Sequence, residues 1–332
     1  MKKPIHVIAE MACSHDGEAA LARRIIDGAG GAGADSIQFQ IWLLEEMMVR
    51  HHPAFADVKK LELSRKTWRE LAAYARERWP GLAIIACAYE ERSVDFAESI
   101  GVDAYKLHSA DLSNPRLVRH MAATGRRIDL SVGGSTIDEI QTALDWIRAA
   151  GGSDVWLMYG YQNFPTRLED VHLDYMMKLG RLFELPLGYQ DHTDAGAPGA
   201  FWLPAAAAGM GVEILEKHIT HDRGRKGADH EAALEPAEFA RFVQMVRQIE
   251  AARGLAVPKP FSEDELHYRV YSKKSIVAAR PLAAGRALAE DDLTFLRAPE
   301  LGLPPDRMAD LIGRELRHDV PAQGFVGPED LA

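Results

Sequence analysis

Short apolar runs alternate with longer amphipathic segments along most of this chain. Runs of roughly four to seven residues, rich in Val, Ile, Leu and Tyr, have the length and content of buried strands. They fall at 6–10, 36–40, 82–87, 104–107, 127–132, 155–159, 186–189 and 212–218. Between them, apolar residues recur at helical spacing over 18–31, 66–79, 93–100, 115–124, 137–149 and 173–183, with a Gly/Ala-rich segment at 199–208 and a last one at 236–253. Gly33, Gly101, Gly125, Gly151 and Gly211 stand just before strands, where a left-handed residue ends a helix. Eight such strand–helix units in about 250 residues predict an α/β fold, a (β/α)8 TIM barrel. A doubly wound sheet needs fewer strands, and no Gly-x-Gly-x-x-Gly follows the first one.

After residue 253 the pattern changes. Residues 254–268 mix proline with charge and read as a linker. From 269 to 332 short strand-like pieces alternate with turns, Arg280-Pro281-Leu282-Ala283-Ala284-Gly285 and Val320-Pro321-Ala322-Gln323-Gly324 among them. A mostly β domain of about 60 residues is expected there, too small to be very stable alone. The predicted organisation is a barrel over 1–253, a linker and this tail.

Composition narrows the function. The 332 residues are 47% apolar and 27% charged, with 39 basic against 49 acidic side chains and a net charge of −10. This is a globular balance, and an acidic chain without a long basic run is a poor partner for nucleic acid. The longest charge-free run, 195–212, holds four glycines and two prolines and reads as a small-residue helix, not a membrane span. Cys13 and Cys87 make neither a disulfide framework nor a metal knuckle, so a reducing, cytoplasmic location is expected. The N-terminal residues read as a first strand, not a signal peptide.

In such barrels the chemistry lies on the C-terminal ends of the strands, and polar residues gather at all eight. His192 and His218 end strands 7 and 8, neighbours in a closed barrel. Two imidazoles with nearby carboxylates suit a divalent ion such as Mn²⁺, Co²⁺ or Zn²⁺; the alternative is a pair of hydrogen-bonded loop histidines. Glu216 shares His218's face of strand 8, and Lys217 points the other way. Lys106 is open to three readings: Schiff-base nucleophile, anion anchor or structural ion-pair partner. Glu10 reads as an acid/base group, as support for a metal site, or as an ion-pair partner of Lys106. The basic stretch 221–230 is an anion-facing loop or simply a solvated one.

Taken in order, Ile8-Ala9-Glu10, Ser14-His15-Asp16-Gly17, Phe39-Gln40, Tyr105-Lys106-Leu107-His108-Ser109-Ala110-Asp111, Leu130-Ser131-Val132-Gly133, Phe164-Pro165-Thr166, Gly188-Tyr189-Gln190-Asp191-His192-Thr193, Glu216-Lys217-His218 and Gly227-Ala228-Asp229-His230 resemble the sialic acid synthase family. The likeness covers nearly the whole chain, and the tail is similar to the SAF, or antifreeze-like, domain of these synthases. It implies condensation of phosphoenolpyruvate with an aldehyde sugar of the N-acylhexosamine type to a 3-deoxy-2-ulosonic acid, with release of phosphate. It implies that His192 and His218 hold a divalent metal, Mn²⁺ first, with Mg²⁺, Co²⁺ or Zn²⁺ as alternatives. Lys106 and Ser109 would hold the donor's carboxylate and phosphate, and Ser131 would add a phosphate contact. Glu10 matches an acid near the metal, and Asp111 a carboxylate that handles the water proton. Asp229 and Phe164 fall on the acceptor side. Arg297 matches a tail arginine that reaches a partner's sugar site, which implies a domain-swapped homodimer.

The departures from the family pattern cluster on the donor side. Gln38 replaces a lysine, Cys87 a threonine, Gln190 a serine and His108 a glycine, while Gln162 and Phe164 lie in an altered strand-6 loop. A charge-assisted bond to phosphate is worth about 1.5–3 kcal/mol, so Gln38 removes one such term unless His108, Arg223, Arg225 or Lys226 compensates. Two other readings stand beside the synthase: an aldolase or lyase on the same scaffold with a non-phosphorylated carbonyl donor, and a non-catalytic sugar-acid binding protein.

Overall fold

A computed structural model describes residues 3–332. The chain divides into two compact units, one running to Gly254 and the other from Leu255 to Ala332.

All eight predicted strands form: β1 His6–Glu10, β2 Ser36–Ile41, β3 Ala83–Ala88, β4 Ala104–Leu107, β5 Arg127–Ser131, β6 Val155–Tyr159, β7 Leu187–Asp191 and β8 Ile214–His218. Each pairs in parallel with the next, and β8 pairs with β1, so the sheet is a closed barrel. The closing register sets Ile8 opposite Glu216 and Glu10 opposite His218. Helix α1 (Ala19–Ala32) follows β1. Helices α2 (Leu44–Met47), α3 (Phe55–Leu61) and α4 (Arg65–Arg78) follow β2. Helices α5 (Glu91–Ser99), α6 (Pro115–Ala123), α7 (Ile137–Ala149), α8 (Leu173–Phe183), α9 (Gly199–Met210) and α10 (Pro236–Arg253) follow β3 to β8 in turn. Gly33 and Gly211, at φ 79° and 117°, donate backbone N–H groups back to α1 and α9 and so end them. Helices α2 and α3 were not expected. Helix α3 buries no side chain, so it carries no apolar stripe for a sequence to reveal.

Strand side chains alternate between two environments. The outward set, Val7, Ala9, Ile37 and Phe39 among it, packs with Ile25, Ile26, Phe239 and Phe242 of the surrounding helices in one core. The inward set starts with an apolar plug of Ile8, Ile85, Ala104, Met158 and Ile214. Two residues further along the same strands stand Glu10, Cys87, Lys106, Gly160 and Glu216. The barrel interior thus turns from hydrocarbon to polar in a single layer, and the polar layer lies toward the C-terminal strand ends.

In the tail unit, helix α11 (Glu263–Ser272) precedes β9 (Lys274–Ala278), which pairs antiparallel with β10 (Leu293–Arg297). Short bridges and turns close a core of Ile276, Leu282, Leu288, Leu311, Leu316 and Val326. Asp292 is fully buried and accepts from Arg280 at 2.6 Å and Arg286 at 2.8 Å. Helix α11 begins inside the stretch expected to be linker. Ser262 and Glu265 form a reciprocal capping box that starts it, and it too buries no side chain. Among the described residues, no helix is long and apolar enough to cross a membrane.

Candidate active site

Every barrel strand except β6, which contributes through the loop that follows it, lines one cavity of about 210 Å³ at the C-terminal face. The alternation that puts the apolar plug inside also puts Glu10, Gln38, Lys106, Ser131, Gln190 and Glu216 inside, and all six are buried. Gln40, Cys87, Tyr89, His108, His192 and His218 complete the strand-end lining. The loop after β6 adds Gln162 and Phe164, and the loop after β8 adds Asp229.

Lys106 is the only lysine or arginine of this lining. Its ammonium donates to Glu216 Oε2 at 2.5 Å. Burial alone would lower its pKa, but the Glu216 and Glu10 carboxylates outweigh burial and raise it. The other Glu216 oxygen accepts from Gln190 Nε2 at 2.9 Å, and Gln190 Oε1 accepts from Ser131 Oγ at 2.9 Å. Ser131, Gln190, Glu216 and Lys106 therefore form one continuous hydrogen-bonded wall. Glu10 is not the ion-pair partner of Lys106. Its carboxylate accepts from the Ala12 N–H and, at 3.3 Å, from Gln40 Nε2. Burial, reinforced by Glu216, lifts its pKa well above the carboxylate range. Burial also raises the pKa of Asp229. Gln38 Oε1 is buried without a hydrogen-bond partner.

The two strand-end histidines face each other, with ring centroids 5.3 Å apart and planes at 85°. Phe164 lies against both, at 4.4 Å from His192 and 5.6 Å from His218. Burial lowers the pKa of each imidazole, so both are neutral at neutral pH. His192 Nδ1–H donates to the Tyr161 carbonyl at 2.8 Å, which leaves Nε2 as a lone-pair donor. His218 Nδ1 is buried and unpartnered. Neutral imidazoles, one oriented through its second nitrogen, are the donor set of an imidazole-bound divalent ion. Among the described residues no three His, Cys, Asp or Glu side chains stand at metal-ligand spacing, so a cation here would complete its shell with solvent or substrate.

Ten of the predicted site residues line this cavity: Glu10, Gln38, Lys106, Ser131, Gln162, Phe164, Gln190, His192, His218 and Asp229. Three do not. Ser109 and Asp111 lie on a 3₁₀ turn after β4, and His108 takes their place in the lining. The turn is fixed by His108 Nδ1 accepting from Ala110 N–H at 3.2 Å, and the Asp111 side chain engages Asn114. Arg297 ends β10 in the tail unit, opposite Lys274. Three of the cations expected to offset the lost lysine are also committed or neutral. Burial and Lys106 lower the His108 pKa to about 4. Arg223 is bonded to Glu238, and Arg225 engages Asp16 and Glu18. Glu216 carries no recognisable site signal in the sequence beyond the two-residue spacing that sets it on His218's face of β8.

The NeuB family model matches residues 25–257, and a SAF domain model matches residues 273–332. The chain belongs to the NeuB family. Its resemblance to the sialic acid synthases therefore holds at the level of whole-domain matches as well as motifs. An N,N'-diacetyllegionaminic acid synthase of Legionella pneumophila is 29% identical, over 95% of this chain and 91% of its own. An N-acetylneuraminate-9-phosphate synthase of Mus musculus is 30% identical, over 95% and 89%. The crystal structure of an N-acetylneuraminic acid (sialic acid) synthetase from Leptospira borgpetersenii, in complex with citrate, superposes with a TM-score of 0.73 at 29% identity, covering 80% of this chain and 92% of that one. All three NeuB-type relatives are named as synthases or synthetases, in agreement with the reading of this chain as a carbon–carbon bond-forming transferase.

Proposed function

We propose that this protein joins phosphoenolpyruvate to an aldehyde sugar of the N-acylhexosamine type, giving a sialic acid-like 3-deoxy-2-ulosonic acid and phosphate. The observation that supports this most is the gathering of one ammonium, two neutral imidazoles and three carboxylates in a single cavity of a NeuB-family barrel. His192 and His218 would hold the divalent metal, Mn²⁺ by preference. When bound, it would supply Lewis-acid polarisation of the sugar carbonyl. Lys106 anchors the donor's carboxylate, and Ser131 offers its hydroxyl to the phosphate. The donor's methylene carbon forms the new bond to the aldehyde carbon, whose oxygen takes a proton. Water then adds at the former enol carbon and returns to Glu10 the proton given to the aldehyde oxygen; phosphate leaves with cleavage of its C–O bond and takes the proton of the added hydroxyl, which becomes the 2-oxo group. Glu10 exchanges the proton at the new hydroxyl, while Asp229 and Phe164 bound the acceptor. Asp111 lies outside the cavity lining and takes no part in proton transfer in this scheme. A homodimer in which Arg297 serves a partner's sugar is part of the same proposal, and sedimentation of the wild type and Arg297→Ala with acceptor tests it.

A second reading is favoured by the charge of the cavity. The lining offers a single ammonium, and Glu216 already engages it, a poor match for a multiply charged phosphate ester. The amides of Gln38, Gln162 and Gln190 suit a neutral or singly charged donor. A 2-oxo acid such as pyruvate would reach the same product by aldol addition. Its methyl carbon loses a proton and bonds the aldehyde carbon, and the proton passes to the new hydroxyl.

One experiment separates the readings. The protein is incubated with Mn²⁺ and a panel of aldehyde sugars, with either donor, and phosphate and 2-ulosonic acid are both measured. The first reading requires equimolar phosphate and product from phosphoenolpyruvate; the second requires product from pyruvate. No product from either donor sinks both. Chelation should abolish turnover and Mn²⁺ restore it, and His192→Ala should weaken Mn²⁺ binding measured by calorimetry.

A further inference from the structure

Outside the cavity, a cluster of titratable side chains joins two loops, residues 11–17 after β1 and residues 219–235 after β8. Its centre is Asp16, a mostly buried side chain in a left-handed backbone conformation at φ 51°. One Asp16 oxygen stands 3.4 Å from His230 Nε2, and the other stands 3.4 Å from Arg225 Nε and 4.0 Å from His221 Nε2. All three side chains belong to the β8 loop; Arg225 is the ion-pair partner, while the two imidazoles, whose Nδ1–H groups donate to backbone carbonyls, pack Nε2 against the carboxylate without a hydrogen bond. One further hydrogen bond joins the two loops, and two more brace the β8 loop internally. His221 Nδ1–H donates to the Ser14 carbonyl at 3.0 Å, and Arg225 donates to His221 Nε2 at 3.3 Å. His230 Nδ1–H donates to the Asp222 carbonyl at 3.1 Å.

The β8 loop carries Asp229, itself left-handed at φ 64° and next in sequence to His230. Left-handed non-glycine residues are costly and persist only where their surroundings fix them. Ala12, Asp16, Lys226 and Asp229 are four of them on these two facing loops. The packing leaves no slack: a Cβ on Gly227 would lie 2.6 Å from Asp16 Oδ1 and 2.8 Å from His230 Nε2.

We propose that Asp16 is a positioning residue, whose carboxylate ties the β8 loop to the β1 loop and so sets Asp229 at the cavity. Asp16 is not in the lining and touches no reacting atom. It acts through Asp229, and the catalytic consequence rests on the reading of Asp229 as an acceptor contact.

The test uses three variants of the full chain. Asp16→Asn removes the charge, Gly227→Ala wedges a methyl into the contact, and Arg225→Gln trims one exposed partner. Hydrogen–deuterium exchange is read first, without substrate. Exchange over residues 221–231 should rise about fivefold or more in Asp16→Asn and Gly227→Ala, and less in Arg225→Gln, with strand amides unchanged. Kinetics follow: the acceptor KM should rise about tenfold in Asp16→Asn while the donor KM stays within about twofold. Unchanged loop exchange in both Asp16→Asn and Gly227→Ala overturns the proposal. Should Asp16→Asn loosen the strands as well, Gly227→Ala and Arg225→Gln decide on the same criterion. Raised exchange with an unmoved acceptor KM overturns the link to Asp229. Because exchange needs no turnover, its outcome is independent of whether the proposed reaction occurs.

Discussion

Two lysines meet buried carboxylates on opposite sides of the same barrel wall. Lys217 points outward from β8 and donates to Asp191 Oδ2 at 2.7 Å, with both side chains essentially inaccessible. The other Asp191 oxygen accepts from the Tyr189 hydroxyl, the Thr193 hydroxyl and the Thr193 N–H at 2.8–3.1 Å. Lys106 points inward from β4 and meets Glu216, one residue before Lys217, at 2.5 Å. That pair also borders the cavity. The chemistry of the two pairs is alike, and their closure is not. The outer pair is satisfied by protein on every side and can only be structural, whereas the inner pair can exchange part of its bonding for a ligand. Burial of a salt bridge therefore says little about its purpose until its remaining valences are counted.

The sharpest way to break the comparison is to remove each lysine. Lys217→Met leaves the Asp191 charge buried without its cation and should cost about 3–5 kcal/mol by denaturant unfolding. Lys106→Met should cost less stability, because water in the cavity can reach Glu216, but turnover should fall by about 10²–10³ if Lys106 stabilises developing charge. Equal stability losses would show that the pairs are equivalent after all. Next in size, Lys106→Met combined with Glu216→Leu should regain most of the stability lost by the single change, since an apolar pair can replace a buried ion pair at little cost. Activity should stay lost, and its return would make the inner pair structural too.

The smallest effect lies in the tail unit, where Asp292 is a third buried carboxylate. Its pKa is lowered to about 2, first by the hydrogen bond from Arg286. A depressed carboxyl contributes stability above its unfolded pKa and loses it as pH falls through the folded one. The wild-type tail should therefore weaken between roughly pH 4 and pH 2. Asp292→Asn should flatten that part of the profile, read as thermal midpoint against pH.

Much of this was legible in the sequence, for definite reasons. Parallel strands covered on both faces are continuous apolar runs, and glycine stops such as Gly33 mark where helices end, so the barrel was readable. The site was readable wherever two-residue spacing fixes direction, as for Lys106 and His108 or Glu216 and His218. What escaped is what depends on register across the barrel. Lys106 and Glu216 stand 110 residues apart in sequence, and nothing local makes Glu216, rather than Glu10, the partner of Lys106. Asp111 escaped because a single hydrogen bond from Ala110 to His108 turns the chain after β4. Helices α3 and α11 escaped because neither buries a side chain.

The closing pair of the barrel, Glu10 opposite His218, also carries a consequence for how the molecule is made. The first strand emerges from the ribosome early, and its second neighbour is roughly 200 residues later, a wait of about 10–40 s at ordinary translation rates. Throughout that interval one edge of β1 is an open template for mispairing. Because the proposed imidazole pair stands at the ends of the last two strands, no nascent fragment shorter than the full barrel has a finished cavity. The cavity would be finished all at once, when the last strand of the barrel closes on the first.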